Sequence, residues 1–333
     1  MKKMLIMAAI AAAALFASCN GKSDIYKKRG SSGKTLEVLL VADKPVYSGT
    51  VKDSLLAILH EPVYGLNQPE QAYDVVNVPT SSFYNSDIFI AHRNLIMITV
   101  NDTNHNTVRV AHDYWAQPQV LFEFRLSHRD SAAPFLRRYM PALSKEIKKC
   151  EHERIRRAFS GIENYNLMQK LRKNFGFEIT LSNEYYLCDM TKDFAWLRKE
   201  TADINIGFLI RTMPYTRSSD FEQNVILDRL DSTMKRVPGP VDSSYMSTER
   251  RVESSTQRVE FNDRYCVETR GLWRLQGKAF LGGPFVNYTI LAPNGENLIM
   301  LTGYVMAPGK NKRDYLMQAE SICYTLYFPE KKE

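Results

Sequence analysis

Phe285-Val286-Asn287-Tyr288-Thr289-Ile290-Leu291 and Leu298-Ile299-Met300-Leu301-Thr302-Gly303-Tyr304-Val305-Met306 face each other across Pro293-Asn294-Gly295. Two apolar runs rich in β-branched and aromatic residues, joined by a Pro-Asn-Gly turn, read as antiparallel strands. A strand at Tyr265–Leu275 precedes them. A helix follows, opened by Asn311, with Tyr315, Ala319, Ile322 and Leu326 on one face. Upstream, Ile204–Met213 reads as a strand. Ser219 and Glu222 then cap a helix that Val237-Pro238-Gly239 stops near Arg236.

The same order is expected earlier in the chain. Leu36–Ala42 is an apolar strand broken only by Glu37. Thr50 and Asp53 cap a helix with Val51, Leu55 and Ile58 inward, ended by Pro62. Strands are expected at Tyr73–Val78, Asn94–Val100 and Gln119–Leu126. A helical region then runs from Ala132 to about Phe159, with a kink or new start at Pro141. A shorter helix near Tyr165–Phe175 and a connecting hairpin between Phe177 and Arg198 complete the pattern. Both halves thus read strand, helix, three-strand meander, helix. This α+β architecture with a pseudo-repeat divides between Phe159 and Phe177, giving residues 35–165 and 166–333.

The N-terminus fixes the expected location. Lys2 and Lys3 precede an apolar run from Met4 to Ala17, too short to span a bilayer, and then Ser18-Cys19. Residues 1–18 are a secretory signal, and Phe16-Ala17-Ser18-Cys19 resembles the lipobox of bacterial lipoproteins, with Phe16 where Leu is usual. Cys19 is therefore the expected lipidation site. Residues 19–34, polar and carrying Gly30-Ser31-Ser32-Gly33, read as a flexible tether with Lys22, Lys27, Lys28 and Arg29 drawn to anionic headgroups. Asn20, in place of the Asp that retains some lipoproteins at the inner membrane, points to the outer membrane. The scarcity of acid beside Cys19 favours its periplasmic side.

Of 333 residues, 315 remain after removal of the signal, at 44% apolar for the whole chain, which excludes global disorder. The net charge of +7 loses Lys2 and Lys3, and most of the excess lies between Arg137 and Lys173, with 11 basic residues against 4 Glu. Such a stripe suits phosphate of nucleic acid or lipid, but an exported protein seldom meets nucleic acid, and a solvated helix face is the simpler reading. Cys150, Cys188, Cys266 and Cys323 are compatible with three disulfide connectivities or with packing as reduced thiols.

No reaction class is spelled out. All six histidines lie in the first half, and no nucleophile elbow, His-Glu-x-x-His or glycine-rich dinucleotide fingerprint occurs. No cofactor or metal is expected. Between Arg270 and Phe285, however, Arg270, Trp273, Arg274, Gly282 and Gly283 concentrate residue types that dominate binding surfaces. Tyr245, Lys312 and Arg313 join them if the strands are neighbours. Against a ligand site stands a hairpin with a core Trp and solvated arginines. The reading is a non-catalytic binding or assembly module for an envelope protein, glycan or anionic lipid. The alternative is an envelope glycan or peptide hydrolase using paired carboxylates.

Several stretches carry a family likeness: Arg93-Asn94-Leu95-Ile96, Asp113-Tyr114-Trp115-Ala116-Gln117-Pro118-Gln119, Phe194-Ala195-Trp196-Leu197-Arg198, Arg270-Gly271-Leu272-Trp273-Arg274 and Gly282-Gly283-Pro284-Phe285. From about Leu36 to Phe328 the chain resembles the domain-of-unknown-function family 4837, exported lipoproteins of Bacteroidota. That resemblance implies localisation and supplies no catalytic residue. The closing strand and helix also resemble a PsbP-type α/β sandwich.

Overall fold

The computed structural model describes residues 28–278 and 280–329. The expected signal peptide, Cys19 and the first part of the expected tether lie outside the described residues.

Five strands form the first sheet: β1 (Glu37–Val41), β2 (Asp74–Val78), β3 (Asn94–Val100), β4 (Thr107–His112) and β5 (Val120–Leu126), in the order β2-β1-β3-β5-β4. All neighbours are parallel except β4, which returns antiparallel along β5. Parallel strands are buried on both faces, and the near-continuous apolar runs Val38–Val41 and Leu95–Val100 answer to that burial. Helix α1 (Gly49–Leu59) and the long α4 (Ala132–Phe159) cover one face, packing Leu55, Leu136, Leu143 and Ile147 on Val38, Leu40, Ile96 and Phe122. Two short helices, α2 (Thr80–Tyr84) and α3 (Asp87–Ile90), sit over the other. Pro141 neither ends nor restarts α4; the helix runs through it, its buried stripe holding both flanks.

After α5 (Tyr165–Phe175) comes an eight-stranded sheet, antiparallel throughout. Its strands are β6 (Tyr186–Met190), β7 (Phe194–Glu200), β8 (Asn205–Pro214), β9 (Tyr245–Thr248), β10 (Ser255–Phe261), β11 (Arg264–Gln276), β12 (Gly282–Leu291) and β13 (Asn297–Met306). The path runs β10-β11-β12-β13-β8-β7-β6, with β9 on β11. The expected hairpin before Arg198 is β6–β7, an edge of this sheet. Helix α6 (Gln223–Met234) packs Ile226, Leu230 and Met234 on one face, against Leu209, Trp273 and Met300. Helix α7 (Arg313–Cys323) and α5 cover the other, where Leu171, Ala319 and Ile322 meet Phe208, Val286 and Tyr288.

The α+β class therefore holds, but the pseudo-repeat is not seen. Leu36–Ala42 runs parallel to both its neighbours, whereas Ile204–Met213 runs antiparallel to both. Crossovers through α1 and α2–α3 return the chain in the same direction in the first sheet, whereas every neighbouring pair of the second runs in opposite directions.

Helix α7 joins the halves. It packs on α4, and Met317 belongs to the first core while Ile322 belongs to the second. Glu70, buried before β2, accepts from the N–H groups of Lys312 (2.7 Å) and Arg313 (2.9 Å), and so caps α7 across the junction. Glu70→Ala is expected to cost about 1–2 kcal/mol. Hydrogen exchange of amides 312–316 should quicken while the β12–β13 amides keep their rates.

The tether is shorter than expected. Residues 28–34 lie along the first half instead of hanging free: Gly30 bridges to Gln117 and Ser32 to His92. Buried Glu151 of α4 takes the Leu36 N–H (3.2 Å) and pairs with Arg93 (3.0 Å) and Arg154 (2.9 Å). Arg154 Nε in turn donates to Ser31 Oγ at 3.2 Å.

Candidate functional site

The expected patch on β11–β12 does not assemble as one surface. Successive side chains of a strand point to opposite faces, so Arg270 and Trp273, three apart, cannot share one. Trp273 faces α6, 4% exposed, with its indole N–H donating to Val305 O at 3.1 Å. Gly283 is a packing requirement rather than an open amide, because a Cβ there would lie 2.0 Å from Val305 O. Gly282 is similar, 2.7 Å from Trp273 O by the same measure. Arg274 is half-buried against Gln276 (2.7 Å) and Glu249 (3.7 Å), and Tyr245 lies beneath Lys235, 5.3 Å from its ring centre.

Lys312 and Arg313 stand elsewhere, over the edge of the first sheet. The Lys312 ammonium donates to Lys310 O at 2.7 Å, and Arg313 holds Asp74 (2.9 Å) and Asp314 (2.8 Å). Arg313 borders a cavity of about 530 Å³ that also takes in Glu70, Gln71 and Asp314. Burial raises the Asp314 carboxyl, against the pull of Arg313.

Arg270 leads to the larger feature, a cleft of about 1150 Å³ between α4 and the β10–β11 edge of the second sheet. One wall is the basic stripe: Lys145, Lys148, Lys149, Arg156 and Arg157. Lys145 Nζ reaches Glu260 Oε2 on β10 at 3.5 Å. At the floor are Glu268, from β11, and Glu320, from α7. Arg270, between them, donates to Glu268 through Nε (2.8 Å) and Nη2 (2.8 Å), and to Glu320. Tyr288 Oη donates to Glu268 (3.1 Å), Gln257 Nε2 does the same (2.9 Å), and Lys148 Nζ stands 3.4 Å from Glu320. His152 stacks on Tyr324 with ring centres 4.3 Å apart.

Burial alone would push both carboxyls up. The Arg270 guanidinium outweighs it, holding Glu268 below and Glu320 well below the usual carboxylate range. Two facing glutamates are thus present in a cleft, as a carboxylate hydrolase requires. General acid catalysis calls for a raised carboxyl, and Arg270 shifts both of these the other way.

Little in the sequence announces this site. Glu268 and Glu320 are far apart in the chain, and the basic stripe reads as a solvated face until β10 is laid opposite. The available hint was a charge inside an apolar strand, Val267-Glu268-Thr269, which demands a buried partner. Among the described residues the four cysteines outside the signal region are free thiols, and burial raises that of Cys150 to about 11. Among the described residues no group of three His, Cys, Asp or Glu is placed to hold a metal ion, and no helix is long and apolar enough to cross a membrane.

Residues 164–325 match the family described as Domain of unknown function (DUF4837), and residues 31–160 match Domain of unknown function (DUF8532). No curated protein matches the sequence. Among solved structures the chain is similar to LpqN, involved in cell envelope biogenesis of Mycobacterium tuberculosis. The identity is 11% and the TM-score 0.28, over 44% of this chain and 79% of that one.

Proposed function

We propose that this chain, whose residues 164–325 belong to the DUF4837 family and residues 31–160 to DUF8532, is a lipid-anchored envelope protein acting as a non-catalytic binding or assembly module. The leader ending at Cys19 supports the anchor, and the outer membrane facing the periplasm is the proposed location. One observation carries the binding reading: Arg270 clamps both glutamates at the floor of the cleft, so the cleft offers fixed charge and hydrogen bonds with its carboxylates already paired. Its opposed basic and acidic walls suit a polar ligand bearing both signs, such as a peptide segment or an amino-sugar glycan.

Cross-linking in intact envelopes followed by capture of the protein tests this. A reproducible partner is expected, reduced at least fivefold by Lys149→Glu with Arg156→Glu, both on the exposed wall. Turnover of an envelope glycan or peptide by the purified protein, lost in Asp314→Asn, would establish the hydrolase instead, since Asp314 has a raised carboxyl beside Asp74. The anchor is tested separately. Cys19→Ser should abolish palmitate labelling and release the protein from membranes, and unaltered labelling would end that reading.

A further inference from the structure

We infer that the open face of the first sheet, around Tyr84, Ile88 and Tyr114, rests on the lipid surface to which the chain is tethered. The inference builds on the reading of Cys19 as the lipidated residue. It starts from the thin cover that α2 and α3 give this face. Phe83 fills the centre, buried, with Tyr84 edge-on at 5.1 Å and Trp115 at 5.4 Å, and Tyr114 packs edge-on to Trp115 at 4.4 Å. The outer members of this aromatic group are left in solvent: Tyr84 is 55% exposed, Tyr114 49%, and Ile88 on the neighbouring turn 70%. Isolated exposed apolar residues are ordinary; a contiguous set on one face marks an interaction surface.

The route of the chain identifies the partner. Lys28 Nζ donates to Asp113 O, Arg29 pairs with Asp87 at 3.2 Å, and Ser32 Oγ donates to Ile88 O at 2.8 Å. The Gln117 N–H donates to Arg29 O at 2.9 Å. The first described residues therefore enter between the Asp113 turn and α3, among the exposed rings. Eight residues, 20–27, lie between the lipidated position and Lys28, and the nine steps from Cys19 to Lys28 set the reach. Fully extended they span at most roughly 30 Å, and as a flexible coil roughly 17 Å. A bilayer held that close to this point meets this face of the protein before any other.

The chemistry fits a headgroup layer. Tyrosine rings are apolar in body and polar at the tip, and such residues settle at membrane interfaces beside an aliphatic side chain that enters further. Lys28 provides a cation for lipid phosphate, with Lys22 and Lys27 before it; Arg109, 5.2 Å from the Tyr114 ring centre, is paired with Glu123 at 2.8 Å. Asp87, the acid on α3, is already paired with Arg29.

The test uses the full chain purified from membranes and reconstituted in phosphatidylethanolamine–phosphatidylglycerol vesicles with bromine on the acyl carbons nearest the headgroup. Ile88→Trp should raise the quenched fraction of tryptophan emission at least twofold over wild type. On vesicles the wild-type amides 83–90 should exchange at least tenfold more slowly than in detergent, and Ile88→Glu with Tyr114→Glu should lose that protection. Quenching no greater than wild type, together with unprotected amides, would overturn the inference and turn this face toward water or a protein. If the double variant fails to fold, the Ile88→Trp quenching decides alone. Absence of palmitate on Cys19 would sink the anchor reading, whereas the vesicle result would still report on the face.

Discussion

Arg270→Ala destabilises the protein by about 3–5 kcal/mol, because it leaves two buried carboxylates facing each other without their cation. The side chain is 12% exposed, and Glu268 and Glu320 are each 4% exposed. The effect carries a pH signature. In the wild type both carboxyls titrate below their ordinary value of 4.5, so their contribution is complete above that pH and is lost as pH falls through the lowered values. In the variant the main opposing charge is gone and Lys148 stays beside Glu320, so burial raises Glu268 above all, and acidification then relieves the repulsion. The difference in urea midpoint between the two proteins should therefore be largest near neutrality and shrink toward about pH 4. A constant difference across pH would show that Arg270 acts through packing alone. Replacing all three charges, as Arg270→Met with Glu268→Gln and Glu320→Leu, should recover most of the loss, since a buried ion cluster contributes little beyond a packed apolar one.

Trp273→Ala is expected to cost about 3–5 kcal/mol by opening a cavity in the α6 core. It also strips the Val305 carbonyl of its 3.1 Å partner and removes the edge-on contact to Tyr304, whose ring centre lies 5.8 Å away. Trp273→Phe keeps much of the ring volume and loses the indole donor, at about 1–2 kcal/mol. Guanidinium unfolding of the two variants should show that order, and a melting temperature unchanged in Trp273→Ala would return Trp273 to the surface. From the sequence, Arg270 and Trp273 are expected as binding residues. With these residues inside, loss of capture in either would report the loss of the fold.

Much of the core was legible before any coordinates. Leu55 and Ile58 on α1, Leu143 and Ile147 on α4, and the inward residues of β12 and β13 follow from periods of 3.6 and 2. Strands β4, β9 and β10 escaped notice. Thr107–His112 and Ser255–Phe261 are edge strands with one neighbour each, and their polar, alternating residues resemble loop until a partner strand supplies the hydrogen bonds. The continuous apolar runs of β1 and β3 did carry the mark of a parallel sheet, but element order alone suggested a meander.

The sequence by itself determined the class of fold, the limits of most elements, and the expectation of export and anchoring at Cys19. All of these depend on neighbours within a few turns or a few strand residues, where periodicity and turn chemistry act directly. Tertiary structure alone decided the rest. It set strand direction in the first sheet, brought Glu70 to the start of α7, and placed Arg270 and Trp273 on opposite faces of β11. It also joined Glu268 and Glu320 around one guanidinium and led Lys28 to an aromatic face built from three separate segments. The physical reason is range. A charge or ring is assigned its role by whatever occupies the few ångströms around it, and those neighbours come from parts of the chain whose separation no local pattern encodes.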